Sequence, residues 1–213
     1  QQLIIRTIRE HRRIIYNGNN YTAQWVEEAE RRGLLNLPST VEALQAMVEE
    51  NNIQVFVRHR IYSETEICAR YEISLENYVK TINIEAETAL LMVRQEILPA
   101  ILRYMGDMAA AQASLQEACS HCADHDASAW KDPYLTHLQQ LRIQLHEKTE
   151  ALTSALADGK QLQQDMLSSA IQRREHVLPA LNSLREVVDS LEAIVEKNAW
   201  PLPSYGELLF SES

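Results

Sequence analysis

Apolar residues recur three and four positions apart over most of this chain, the period of an α-helix. Ile5, Ile8 and Ile15 open the pattern, with Arg12 between them, and Asn17-Gly18 interrupts it. Gly18 is expected to take the left-handed conformation that ends a helix. Asn-Gly alone suggests a hairpin turn, but the next stretch, Thr22 to Arg32, is again helical in period through Trp25, Val26 and Ala29, and Gly33 is its stop. Ser39 with Glu42 forms a capping box that starts a helix through Ala43, Leu44, Met47 and Val48, and a short element follows at Ile53 to Arg58.

Ser63 with Glu66 is a second capping box, and no breaker follows it until Pro99. A helix over 64–98 would run about 50 Å at ~1.5 Å per residue. Tyr71, Leu75, Tyr78, Ile82, Ala86, Ala89, Val93 and Ile97 lie along one stripe of it, and the pattern resumes beyond Pro99 at Leu102, Met105 and Met108. Pro99 therefore reads as a kink. Periodicity lapses over Ala123 to Lys131, and Asp132-Pro133 then supplies an N-cap with proline at the first helical position. Leu138, Leu141, Leu145, Thr149, Leu152 and Leu156 form a second seam, resumed after Gly159 by Met166, Ala170, Val177, Leu181, Leu184, Val188, Leu191 and Val195. The two arms predict an antiparallel hairpin with its tip near His125 to Pro133, which sets Pro99 near Gly159. Both arms also carry a similar break, Arg94-Gln-Glu-Ile-Leu-Pro-Ala-Ile and Arg174-Glu-His-Val-Leu-Pro-Ala-Leu. The simpler reading is that each proline relieves the curvature of a long helix; duplication is the other.

The predicted fold is all-α, with short helices followed by a long antiparallel helical hairpin or bundle. Residues 1–62 form a short-helix lead that joins an upstream core, 63–198 the hairpin with its proline kinks, and 199–213 an apolar docking tail. That tail, Trp200-Pro-Leu-Pro-Ser-Tyr-Gly-Glu-Leu-Leu-Phe, cannot start as helix yet is too apolar to hang free. Its expected seat is the lead, Ile5 to Met47, or the upstream core.

Composition agrees with helices: 46% of the 213 residues are hydrophobic, with Leu, Ala, Ile and Met together outweighing the other β-branched and aromatic residues, and with only 5 Gly and 6 Pro. A net charge of −10 disfavours nucleic acid, and Arg6, Arg9, Arg12 and Arg13 read as a solvated helix face. No apolar run reaches the roughly 18 residues of a membrane span, and the start lacks the order of a signal peptide. Three cysteines, Cys68, Cys119 and Cys122, make a poor disulfide framework and fit a reducing cytoplasm. The start on Gln1 inside an apolar-periodic segment reads as an excised fragment.

Chemistry-bearing patterns are few. Cys119, His121, Cys122 and His125 are of metal-ligand type, but on a helix the cysteines share one face and the histidines a neighbouring one, so an ordinary helix end is the preferred reading. A di-iron bundle needs Glu three positions before His, and none of the 7 histidines has it. Phosphate loop, His-Glu-x-x-His and Gly-x-Ser-x-Gly patterns are missing. Glu85, Glu87 and Glu96, near Lys80 and Arg94, read as solvated pairs on a long helix rather than an acid–base couple.

Specific runs carry a family resemblance. His11-Arg-Arg-Ile-Ile-Tyr-Asn-Gly-Asn-Asn-Tyr and Trp25-Val-Glu-Glu-Ala-Glu-Arg-Arg-Gly-Leu-Leu-Asn-Leu resemble the region just beyond the catalytic core of type III glutamine synthetases. Tyr71-Glu-Ile-Ser-Leu-Glu-Asn-Tyr-Val-Lys-Thr-Ile-Asn-Ile-Glu-Ala-Glu-Thr, Ile97-Leu-Pro-Ala and the Trp200 to Phe210 segment are similar to the same family in the same order. The resemblance is weakest from Gly106 to Ala170, and Asn20 stands where a Gly is expected, which affects only the local turn. It implies a parent that makes glutamine from glutamate, ammonia and ATP with Mg²⁺ or Mn²⁺, in large homo-oligomeric rings. It also implies that the metal-binding carboxylates, the glutamate-binding loop and the phosphate-binding arginines lie upstream, so no catalytic, cofactor-binding or metal residue carries over. The expected partners are the chain's own catalytic core and neighbouring subunits, with no nucleic acid and no membrane. The alternative is a stand-alone helical adaptor that binds partner proteins; the sequence upstream of Gln1 separates the two.

Overall fold

A computed structural model of the chain describes residues 1–119, 133–160 and 165–210. Among these the regular structure is all helical, and the chain forms two compact units, 1–71 and 72–213.

The first unit holds α1 (Gln2–Glu10), a 3-10 turn (Arg12–Ile14), α2 (Ala23–Arg31), α3 (Thr40–Met47), α4 (Glu50–Arg58) and the first turns of α5 (Glu64–Met92). Both expected capping boxes form. The Ser39 and Ser63 hydroxyls accept from the backbone N–H groups of Glu42 and Glu66, whose carboxylates accept in return from the serine N–H groups. The core of this unit is small: Val41 and Ile67 are fully buried, and Ala29 and Ala46 nearly so.

Two helices of this unit end in the left-handed region. Gly33 (φ 75°) closes α2, with the Leu34 N–H reaching the Ala29 carbonyl at 2.9 Å. Arg60 (φ 55°) does the same for α4, with the Ile61 N–H on the Phe56 carbonyl at 3.0 Å. A Cβ in that conformation costs about 1–2 kcal/mol. Arg60→Gly is therefore expected to stabilise the chain by roughly 0.5–1 kcal/mol after the added backbone entropy of glycine, measured by urea unfolding. Gly18 is a different case: its φ is not positive, and a Cβ there would run into the Tyr16 ring. The sequence expectation of a left-handed Gly18 is thus corrected; the residue is small because an aromatic ring lies on it.

The second unit is a three-arm bundle. Its first arm is α5 continued through a widened π-turn (Val93–Ile97) into α6 (Leu98–Cys119); the second is α7 (Pro133–Lys160). The third arm is α8 (Met166–Gln172), a second π-turn (Arg173–Val177) and α9 (Leu178–Glu192). The sequence pattern predicts one long second arm beyond Pro133, but the structure turns it back on itself. Asp165 caps the return, its carboxylate accepting from the Leu167 and Ser168 N–H groups at 3.2 and 3.1 Å. A periodic stripe looks the same whether the helix continues or reverses, which is why the two seams read as one. The Asp132 cap and the hairpin tip over 120–132 lie outside the described residues.

Side-chain ties fix the arm directions. Arg94 donates to the Thr153 hydroxyl at 2.9 Å, and Gln172 to the Ala155 carbonyl at 2.8 Å, so α7 runs against both other arms. Asn83 meets Arg173 near one end, while Tyr104, Tyr134 and the Ile194 carbonyl join at the other, so the first and third arms run parallel. Pro99 falls between the Arg94 and Tyr104 ties. Its level on α7 therefore lies between Tyr134 and Thr153, and the expected pairing with Gly159 is not formed. Leu138, Leu145, Leu152, Val177, Leu184, Leu191 and Ile101 form the buried centre.

Both prolines sit just after a π-turn. Leu98 and Leu178 donate their N–H groups five residues back, to the Val93 and Arg173 carbonyls. Proline lacks an N–H and its ring crowds the preceding turn, and a turn widened by one residue lets the helix continue. The two similar breaks in the sequence thus encode one local structure twice.

Candidate functional site

Metal chemistry was the first possibility the sequence raised. Cys119 ends α6, and His121, Cys122 and His125 lie outside the described residues; among the described residues no three His, Cys, Asp or Glu side chains are grouped to hold a metal ion. The carboxylates Glu85, Glu87 and Glu96 are exposed along the first arm. Their expected cations are engaged elsewhere: Lys80 pairs with Glu76 at 2.6 Å, and Arg94 is tied to Thr153.

What the structure does bring together is a clasp in the first unit, built from the two N-terminal runs that carry the resemblance. The Tyr16 and Trp25 rings stack with centroids 4.4 Å apart, and the Arg32 guanidinium lies over both, at 5.6 and 5.9 Å. Arg32 also donates to Glu28 at 2.5 Å and to the Ile15 carbonyl at 2.6 Å, while Arg31 grips the same carboxylate at 2.6 and 2.7 Å. These arginine hydrogen bonds hold the Glu28 carboxyl below the usual carboxylate range. Arg12 and Asn17 rim the shallow depression beside it. Because Glu28 engages both arginines, this corner joins chain segments and is not arranged as a phosphate cradle.

Beside the clasp, α1 carries Leu3, Ile4, Ile5 and Ile8, all 50% exposed or more, and buries nothing. Arg6, on another side of the helix, pairs with Glu10 at 2.8 Å, which agrees with a solvated basic face. In the second unit a groove of about 350 Å³ runs between the first and third arms, with Val93, Ile97, Leu181 and Val188 on its walls and Glu85, Asn182 and Arg185 among its polar lining residues.

The tail divides in two. Trp200 is buried in the bundle core, with Leu202 packed against it. The seat is therefore the bundle, with Leu202 lining the groove between its first and third arms, correcting the expectation that it is the lead. Further along, Leu208 and Leu209 on α10 (Tyr205–Leu209) and Phe210 just after it are 61–80% exposed. A third capping box opens α10, where Ser204 and Lys197 hold Glu207 down to about 2.

One buried feature was missed from the sequence. Arg173 is 3% exposed, donates to Asn83 at 2.8 Å and to Gln172 at 2.6 Å, and has no carboxylate within ion-pair distance among the described residues. Burial lowers its pKa. The signal was the place of Arg173 in the seam, between Ala170 and Val177, where the apolar sequence skips a member.

Comparison with known proteins decides the family. A model of the glutamine synthetase C-terminal domain matches residues 1–116, more than half of the chain. The chain belongs to the glutamine synthetase C-terminal domain family. Its relatives include a glutamine synthetase of Butyrivibrio fibrisolvens, 33% identical over 99% of this chain, and a type-3 glutamine synthetase of Dictyostelium discoideum, 32% identical over 98%. A glutamine synthetase of Bacteroides fragilis is 29% identical over 93%. The alignments take in 29%, 28% and 27% of those proteins, so the chain spans less than a third of their length. The family model stops within α6, whereas the three relatives align through the returning arms as well. The clasp, with Tyr16, Trp25, Glu28 and Arg32, lies wholly inside the stretch that the glutamine synthetase C-terminal model covers.

Proposed function

We propose that this chain is the C-terminal helical domain of a type III glutamine synthetase, an enzyme that joins ammonia to glutamate at the expense of ATP with Mg²⁺ or Mn²⁺, and that it serves packing and assembly. The observation that carries this reading is α1: an aliphatic helix face with nothing on it, at the start of a domain whose family is defined by its place after another. The occupant of that face is the catalytic part of the same polypeptide. The neighbouring subunits of a homo-oligomeric ring in the cytoplasm are the further partners, and the chemistry belongs to the upstream part. No helix among the described residues is long and apolar enough to cross a membrane.

Among the described residues no three His, Cys, Asp or Glu side chains are grouped to hold a metal ion, and Arg31 and Arg32 of the clasp are engaged by Glu28. Titration of the isolated chain with Mg-ATP in a calorimeter is therefore expected to give only dilution heats. Saturable heat at micromolar nucleotide would overturn the assignment of the chemistry to another part of the polypeptide.

A further inference from the structure

Between the 3-10 turn and α2 the chain passes through Asn17-Gly18-Asn19-Asn20-Tyr21-Thr22, a composition that by itself favours many turn shapes. The clasp restricts it. Arg32, just after α2, donates to the Ile15 carbonyl at 2.6 Å and so ties the entry of the loop to the far end of the helix that follows it. The Tyr16 ring stacks on Trp25 in the first turn of α2, and Gly18 leaves room for that ring. Inside the loop the Asn19 side chain accepts from the Tyr21 N–H at 3.0 Å, and the Thr22 hydroxyl donates to the Asn19 carbonyl at 2.9 Å. The backbone is thus held on both sides of Tyr21.

What the held loop presents is the tyrosine side chain. It is 94% exposed and makes no hydrogen bond or ring contact with the described residues. The packing of this chain therefore gives no reason for a tyrosine there. A tyrosine carries a large apolar area on only two side-chain torsions, and on a backbone fixed beforehand little freedom remains to be lost when it docks. Those are the properties of an interface anchor. The helix α1 ends at Glu10, so Tyr21 stands at most ~40 Å of extended chain from the aliphatic face assigned to the catalytic part, within reach of the same body.

We infer that Tyr21 anchors a second contact with the catalytic part of the same polypeptide, its ring seated between apolar walls and its hydroxyl meeting a hydrogen-bonding group there. The occupant follows from the length of polypeptide outside this domain: the chain spans less than a third of its relatives, and the model it matches is of a C-terminal domain. The inference rests on the reading above that the larger, preceding part is the catalytic one. The α1 face is aliphatic and broad, so many apolar surfaces would cover it. One ring on a fixed loop needs one pocket, and it sets the orientation of the domain as well as its attachment.

The test places the photo-crosslinker p-benzoylphenylalanine at position 21 of the full-length synthetase and reads the irradiated product by denaturing electrophoresis and peptide mass spectrometry. The expected product is a link within one polypeptide, from position 21 to a peptide upstream of this domain. A link to a second polypeptide, a link to another residue of this domain, or no link would overturn the inference. Alongside it, Tyr21→Ala is expected to leave the melting temperature of the isolated chain unchanged and to lower that of the full-length protein, with Tyr21→Phe, which keeps the ring, closer to the parent. A lowered melt of the isolated chain, or the reverse order of the two variants, would also overturn it. The double substitution Ile5→Asp with Ile8→Asp separates the two readings. If that pair disrupts the full-length protein and Tyr21→Ala does not, the α1 contact stands and the anchor falls; if neither does, both fall.

Discussion

Trp200→Ala is expected to lower the melting temperature of this chain by roughly 5–10 °C. Truncating a buried tryptophan to alanine costs about 3–5 kcal/mol through lost burial and the cavity left behind. Trp200 is 9% exposed within the core cluster of the bundle, which places it in that class. Its Nε1–H, however, is buried without a hydrogen-bond partner, and an unmet buried donor already costs about 1–3 kcal/mol. Removing it returns part of the loss, so the net cost falls to about 2–3 kcal/mol, and each kcal/mol moves the melt of a chain this size by roughly 2–4 °C. Two companions separate the terms. Trp200→Phe keeps most of the volume and discards the unmet donor, so its melt is expected within about 1 kcal/mol of the parent. Removal of residues 204–213 takes away the exposed residues 206–210 and is expected to leave the melt where it is. A destabilised truncation together with a neutral Trp200→Ala would show that the stabilising contacts lie beyond residue 203, reversing the division of the tail.

The double substitution Ile5→Asp with Ile8→Asp is expected to abolish glutamine formation in a full-length synthetase carrying this domain, while leaving the isolated chain as stable as before. Both residues are half exposed on a helix that buries nothing, and surface changes of this kind typically stay within about 0.5 kcal/mol. Against a catalytic neighbour the effect is much larger: each aliphatic side chain loses about 1.5–3 kcal/mol of burial, and each carboxylate must be desolvated in its place. Sedimentation of the full-length protein alongside its activity reads the outcome. Retention of both activity and assembly would leave the α1 face without the occupant assigned to it, whereas destabilisation of the isolated chain would mean that the face is already used within it.

These expectations rest on features of unequal legibility. The boxes at Ser39 and Ser63 were readable because a cap is satisfied within four residues and depends on nothing distant. The apolar stripes were readable for the same reason, and so was the all-helical class. Contacts between arms were not. Arg94 and Tyr134 tie one arm to another through long polar side chains, which leave no periodic trace. The reversal between α7 and α8 was hidden because Leu156 and Met166 extend matching stripes on either side of it. Arg173 showed only as a missing member of a seam, and a periodic reading tends to pass over such a gap. The clasp was legible as a resemblance in Tyr16 to Arg32, but its chemistry was not: that Gly18 yields space to a ring, and that Glu28 engages two arginines, needed coordinates.

The paired π-turns have a mechanical consequence. A widened turn followed by proline is a notch in an otherwise stiff rod, and two of the three rods here are notched. The third, α7, is whole, and it grips the other two within a few residues of each other, at Thr153 from Arg94 and at Ala155 from Gln172. Neither notched rod can flex at its weak point without bending the same short stretch of the intact one. One intact helix thus splints both notched ones beside their weak points.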